Sequence, residues 1–368
     1  MRLENLHLIN FKNYAEAVLD FRGNIHCFLG RNGSGKTNLL DAIHYLSFTK
    51  SGIQPNDLNN IRQGQYQFMI KGRIEKEGKL NDVTCTYAPE EKKKISENGK
   101  TYSRFSQHIG KYPLVLVAPN DIELIWDGGE IRRKFFDSLL SQLDKEYLEH
   151  LIIYQAQLRQ RNGLLRMFAE GNSIDRDLIA SYDDPLAASG IVIHRKRMEF
   201  ANQYQPVVRE RYGFLVDHVS ETAGLTYESE LHSFDFKNEL RQRLERDVLA
   251  GRTTIGIHRD DFLFTMNGNE LKKFGSQGQQ KSYLIALKLA EFDCLKKKNG
   301  FNPLLLLDDI FDKLDDDRIV QLMKLVSGGT FGQIFITDAR PGRSLEVLKA
   351  AKVPSQNFIV EAGTVSTH

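Results

Sequence analysis

Leu3, Leu6, Leu8 and Phe11 alternate with polar residues over the first eleven positions, the pattern of a half-buried strand. EAVLDF (16–21) and NIHCFLG (24–30) predict two more strands, the second ending in a glycine-rich turn. KTNLLDAIHYLSF (36–48) then sets Leu39, Leu40, Ile43, Tyr45 and Leu46 at helical spacing for packing on a sheet. From about 51 to 117, short strands alternate with the turns EKEGK and SENGK, predicting an antiparallel sheet appended to this unit; Lys92, Lys93 and Lys94 fall in a solvated turn. From about 122 to 250 long helical periodicities take over. They are interrupted and sustain no heptad, which excludes a long coiled coil. Past 252 strands return, followed by a helix (279–296) and the apolar run NPLLLLDDI, typical of a strand covered on both faces. A helix (316–326), the strand GQIFITDA, the helix RSLEVLKAAK and the strand NFIVEAG complete an α/β pattern. The expected organisation is an α/β lobe made of 1–121 and 252–368, with a helical lobe, 122–251, inserted.

Composition changes this picture little. The 368 residues are 41% hydrophobic, enough for two lobes, and the mean hydropathy is −0.40. No apolar run approaches the roughly 18 residues of a membrane span, and the N-terminus carries no signal-like core, so a cytoplasmic protein with no membrane partner is expected. Cys27, Cys85 and Cys294 are too far apart for a disulfide framework or a zinc cluster and read as small buried hydrophobes. A net charge of +2 and a pI near 8.2 leave the partner open.

The chemistry is more specific. GRNGSGKT (30–37) satisfies G-x-x-x-x-G-K-[ST] between a strand and a helix, the setting of a phosphate-binding P-loop. Gly30, Gly33 and Gly35 let backbone N–H groups curl around a phosphate, with Arg31, Asn32, Ser34 and Asn38 completing the loop and its exit. Lys36 adds charge at the β/γ oxygens, and the Thr37 hydroxyl suits Mg²⁺. ATP and Mg²⁺ are the expected cofactors. Asp308 emerges at the carboxyl end of the apolar strand, where it can associate with Mg²⁺, and Asp309 follows as the acid for an attacking water.

A second glycine-rich loop, FGSQGQQK (274–281), precedes a helix. Its order Ser276, Gln277, Gly278, Gln279 resembles the signature loop of ABC-type ATPases, which completes the nucleotide site of a second subunit. That resemblance implies a head-to-tail homodimer, with Ser276, Gly278 and Gln279 meeting a partner's ATP. Taken in order, LHLINFKNYAEAVLDF, VAPNDIELIWDGGEIRRKFFDSLLSQLDKEYLEHLIIYQAQLRQRNGLL, GIHRDDF, SQGQQKSYLIALKLAE and LLLLDDIFDKLD resemble the RecF family of bacterial recombination and repair proteins over nearly the whole chain. The resemblance implies a P-loop NTPase fold of ABC/SMC-head type without a coiled coil. It also implies sequence-independent binding to duplex DNA or strand junctions, slow DNA-stimulated ATP hydrolysis, and the partners RecR and RecO. The work implied is recombinase loading at gaps, replication restart and SOS induction.

Carried onto this sequence, the resemblance sets Lys12 and Asn13 on the adenine side of the nucleotide, and Lys36, Asp308, Asp309 and Ser276 in catalysis. Asp312 to Asp315 take the position of a loop coupling the two sites, and Asn120 or Asp121 stands where a glutamine is usual. Three departures separate the chain from transport ATPases: Asp309 replaces a glutamate, Gln277 replaces a glycine, and Thr337 and Asp338 occupy the place of a switch histidine. GIHRDDF, with Ile257 in place of proline, reads as a hydrogen-bonded turn. Arg132, Arg133 and Lys134, Arg159, Arg161 and Arg166, and Arg195, Lys196 and Arg197 are the basic groups of the helical lobe that could face DNA, although acids outnumber bases there.

Overall fold

The computed structural model describes every residue except 172, 174, 217–220, 234, 310–315, 340, 352 and 368. The segment Asp312 to Asp315 therefore lies outside the described residues. Leu3, Leu6, Leu8 and Phe11 bury one side of β1 (Arg2–Phe11) completely. β1 pairs antiparallel with β2 (Tyr14–Asp20). After β3 (Ile25–Leu29), β4 (Phe68–Lys76), β5 (Lys79–Ala88), β6 (Glu91–Glu97) and β7 (Lys100–Thr101) extend that sheet in the order β2-β1-β4-β5-β6-β7. β8 (Leu114–Val117) does not join it. Its apolar residues instead pair parallel with a strand near the other end of the chain. The expected antiparallel sheet thus ends at 101, because a strand reading LVLV is stable only where both faces are covered. Lys92, Lys93 and Lys94 lie on β6 rather than in a turn, and Lys93 pairs with Asp57 at 2.8 Å.

The second unit of the chain is built on α2 (Glu123–Trp126), α3 (Gly129–Leu143), α4 (Lys145–Ala169), α5 (Arg176–Leu215), α6 (Phe236–Gln242) and α7 (Leu244–Ala250). The break between α3 and α4 is set by Asp144, whose carboxylate caps α4 by accepting from the Tyr147 N–H at 3.1 Å. The unit also contains a small antiparallel sheet: β9 (Ala223–Glu228), β10 (Asp261–Met266) and β11 (Asn269–Glu270), ordered β11-β10-β9. α8 (Leu271–Phe274) and the start of α9 (Gln277–Asn299) follow. Compact packing divides the chain into 1–121, 214–217 and 285–368 on one side, and 122–213 and 218–284 on the other. The return expected at 252 therefore falls at 285. β10 keeps residues 261–266 in the second unit by pairing with β9 and by stacking Phe262 on Phe136 of α3, centroids 3.8 Å apart.

In the first unit, β12 (Leu304–Leu307) and β13 (Ile334–Asp338) flank each other in a sheet ordered β15-β14-β3-β13-β12-β8, with α10 (Asp316–Ser327) between them in sequence. β14 (Gln356–Glu361), which follows α11 (Pro341–Ala350), runs parallel to β3, and β15 (Thr364–Thr367) turns back antiparallel at the edge. α1 (Lys36–Phe48) buries ten of its thirteen residues. Leu39, Ile43, Tyr45 and Leu46 share one core with Phe68 and Ile70 of the antiparallel sheet and Phe28 and Phe335 of the parallel one. A helix clad on most of its sides cannot swing. Its N-terminus is accordingly a fixed platform.

Candidate nucleotide site

That platform begins where β3 ends. Gly33 and Gly35 have φ of 78° and 117°, left-handed values that a side chain would strain. A Cβ on Gly35 would also lie 2.3 Å from Asn13 Nδ2. Asn13, in the β1–β2 turn, donates to the Ser34 carbonyl at 3.0 Å and accepts from Asn38 Nδ2 at 2.7 Å. The Tyr14 hydroxyl donates to the Gly35 carbonyl at 3.0 Å, and the Gly363 N–H donates to Ser34 O at 3.2 Å. The Ser34 and Gly35 carbonyls are thus held from outside, by groups of two hairpin turns. Lys36 is buried and donates to the Arg31 carbonyl at 3.1 Å, whereas Arg31 and Asn32 are exposed.

Asp308 follows the four buried leucines of β12 and is itself buried. Its Oδ1 accepts from Thr37 Oγ1 at 3.0 Å and from Thr337 Oγ1 at 2.6 Å. Burial pushes the carboxyl above the usual range, while the hydrogen bonds from Thr337 and Thr37 and the nearby Lys36 charge pull it back. A carboxylate beside a threonine hydroxyl is a hard oxygen pair, fit for Mg²⁺. Asp309 has φ 45°, and its N–H donates to Thr337 Oγ1 at 2.9 Å. Thr337 therefore fixes both acids at once, a role that sequence reading missed. Its signal in the sequence was its place, with Asp338, where a switch histidine is usual, which does not foretell these bonds.

The second loop belongs to the other unit and is a reciprocal capping box. Ser276 N–H donates to Gln279 Oε1 at 2.8 Å, and Gln279 N–H donates to Ser276 Oγ at 3.2 Å. Gln279 Nε2 is used as well, donating to Glu221 Oε1 at 2.9 Å. Both ends of this glutamine are thus engaged inside the chain, while Ser276 and Gln277 are exposed and Gly278 is half-buried.

Lys12, with φ 51°, pairs with the buried Asp41 of α1 at 2.5 Å. Asp41 also accepts from Ser51 Oγ at 2.6 Å and from the Gly52 N–H at 2.7 Å. Asn120 is exposed; Asp121 accepts from the Ala118 N–H at 2.7 Å and faces Lys288 at 3.4 Å. Lys288 also faces Glu291 at 3.7 Å, and burial raises that carboxyl to about 7 against the pull of Lys288.

In the second unit, three of the arginines considered for DNA are structural. Arg161 is fully buried, bonded to Asp183 at 2.5 Å, Asp247 at 2.6 Å and Thr253 at 2.9 Å. Arg197 is held by Asp137 at 2.7 Å, Asp260 at 3.1 Å and the Ile257 carbonyl at 2.7 Å. Arg132 grips Asp261 with two bonds, at 2.8 and 2.7 Å. Lys196 pairs with Asp144 and Glu146. The turn 257–261 is therefore an anchor for Arg132 and Arg197: Ile257 sits in the core, and His258 accepts or donates toward Tyr154 at 2.8 Å. Arg159, Arg166 and Arg195 remain exposed.

Residues 2–360 match the family described as RecF/RecN/SMC N terminal domain. The DNA replication and repair protein RecF of Flavobacterium johnsoniae is 44% identical over 350 residues, covering 95% of this chain and 97% of that one. That of Phocaeicola vulgatus is 43% identical, covering 100% and 98%. Among solved structures, the recombination mediator protein RecF-ATP in the RecFOR pathway superposes with a TM-score of 0.88 at 28% identity, covering 100% of this chain and 97% of that chain. The Smc head domain from Pyrococcus furiosus, at 16% identity and a TM-score of 0.55, shares the fold, an ABC/SMC-type ATPase head. By sequence and fold together, the chain belongs to the RecF family of DNA replication and repair proteins.

Proposed function

We propose that this chain is an ATP-gated switch of recombinational repair. Two copies close head to tail over two ATP molecules on DNA, act with RecO and RecR in recombinase loading, replication restart and SOS induction, and open on slow, DNA-stimulated hydrolysis in the cytoplasm. The observation that carries it is the junction of Thr37, Asp308 and Thr337, which joins a fixed P-loop to a buried acid within 3.0 Å. Residues 30–38 hold the phosphates, with Lys36 leaving the Arg31 carbonyl for the β/γ oxygens and Asn13 bracing the loop. Thr37 and Asp308 would hold Mg²⁺, which supplies neutralising charge at the phosphate oxygens. Asp309 orients the water. Its side chain is one methylene shorter than a glutamate, which fits slow turnover. Ser276, at a helix N-terminus and exposed, reads the partner's γ-phosphate. Lys12 acts on the adenine side through its tie to Asp41.

The test is molar mass by light scattering for wild type and Ser276→Arg, with and without ATP and Mg²⁺. ATP is expected to double the mass of wild type and leave the variant a monomer. A wild type that binds ATP and stays monomeric refutes the trans site. Asp309→Asn keeps the left-handed backbone, which asparagine tolerates, and is expected to dimerise with ATP but not reopen.

A further inference from the structure

We infer that Glu221 is a positioning residue for the Ser276 loop, acting through the side-chain amide of Gln279; this rests on reading that loop as the sensor of a partner's ATP. A glutamine amide can face the Ser276 N–H in two orientations, and only the one that presents its carbonyl closes the capping box. The choice is made from behind. Glu221 Oε1 lies 2.9 Å from Gln279 Nε2, and an ionised carboxylate accepts but cannot donate, so the NH₂ must point to it. The flipped amide would set its oxygen against that carboxylate. With the NH₂ so committed, Gln279 Oε1 meets the Ser276 N–H at 2.8 Å.

The consequence reaches the serine hydroxyl. Ser276 Oγ accepts from the Gln279 N–H at 3.2 Å, which leaves its own proton to donate outward from an exposed position. Glu221 is itself held, because its other oxygen accepts from the Tyr212 hydroxyl near the end of α5. Tyr283, one turn beyond Gln279 on α9, donates to the Gly224 carbonyl at 2.7 Å, tying α9 to the strand that Glu221 precedes. The loop is thus set before any partner arrives. A preset loop does not have to be ordered on closure, and ordering is a cost of association.

Glu221→Ala, Glu221→Gln, Gln279→Ala and the Glu221→Ala/Gln279→Ala pair would be compared with wild type in the full-length chain. The readouts are ATP-dependent molar mass across protein concentration, binding of a fluorescent ATP analogue to the monomer, and thermal unfolding. Glu221→Ala should weaken ATP-dependent dimerisation roughly tenfold, as expected for a lost hydrogen bond to a charged group, with monomer ATP binding unchanged. Glu221→Gln keeps an acceptor but can also donate, so it should recover only part of the loss. The double variant should be no worse than Gln279→Ala, since both act along one path. Dimerisation of Glu221→Ala equal to wild type overturns the inference while the trans site stands. Losses that add in the double variant, or a Glu221→Gln that fails as Ala does, also overturn it by assigning Glu221 a merely structural role. A wild type that never dimerises with ATP removes the trans site, and this inference with it.

Discussion

Thr337→Val removes one oxygen at almost constant volume, and the structure gives the cost in two parts. The hydroxyl donates to the buried Asp308 carboxylate at 2.6 Å and accepts from the Asp309 N–H at 2.9 Å. A hydrogen bond to a charged group contributes about 1.5–3 kcal/mol, and a buried donor left unpaired costs about 1–3 kcal/mol. The first part depends on pH. The Asp308 carboxyl already stands above its usual range because of burial, and the Thr337 bond is the first force drawing it back. Losing that bond raises it further. A carboxyl raised in the folded state contributes stability that is full below its unfolded value and lost as pH rises through its folded value. The variant should therefore lose roughly 3 kcal/mol at neutral pH, and less in acid buffer once the pH falls below the raised folded value of Asp308. Urea unfolding at the two pH values measures the difference. ATP turnover should fall at least about tenfold, since Asp309 loses the bond that orients its backbone. A pH-independent loss of stability, or wild-type turnover, would refute this account of Thr337.

Arg161→Met should cost about 3–5 kcal/mol in urea unfolding, because Asp183 and Asp247 are left as buried charges without their cation; a loss below about 1 kcal/mol would mean that water reaches them. Glu291→Gln tests the carboxyl that burial lifts from its usual value to about 7. Wild-type stability from this group is present below the unfolded value and lost as pH rises to about 7, so the variant should show a flatter thermal midpoint between mildly acid and neutral buffer; an unchanged slope would exclude Glu291 as its source. Gly35→Ala should abolish binding of a fluorescent ATP analogue while the fold survives, because its Cβ meets Asn13 at 2.3 Å in a left-handed backbone; retained affinity would show that the loop can shift to admit it.

Local features were read correctly where short-range physics makes them. The strand–loop–helix of 25–48 follows from hydrophobic period and glycine placement, and both are observed. The four leucines of 304–307 form a strand covered on both faces, with Asp308 at its end. The helix expected after the second glycine-rich loop is observed over Gln277–Asn299. Misreadings share a different cause. LVLV at 114–117 was assigned to its sequence neighbours, yet its partner strand lies about 190 residues on. The return to the first unit was set at 252, because nothing local shows that 261–266 pairs with 223–228. Arg132, Arg161 and Arg197 were read as groups that could face DNA because their carboxylates, such as Asp261 and Asp247, stand far away in sequence.

The sequence by itself determined the strand, glycine-rich loop and helix of 25–48, the acid at the end of a buried strand, the helix after the second loop and the family, because each is written in residues close together in the chain. Tertiary structure alone decided what holds them. Asn13, Tyr14 and Gly363 brace the P-loop from two hairpin turns, Thr337 joins Asp308 to Asp309 from the neighbouring strand, and Glu221 orients Gln279 across 58 positions. Hydrogen bonds act over about 3 Å, so only folding, which turns distance along the chain into proximity in space, could reveal them.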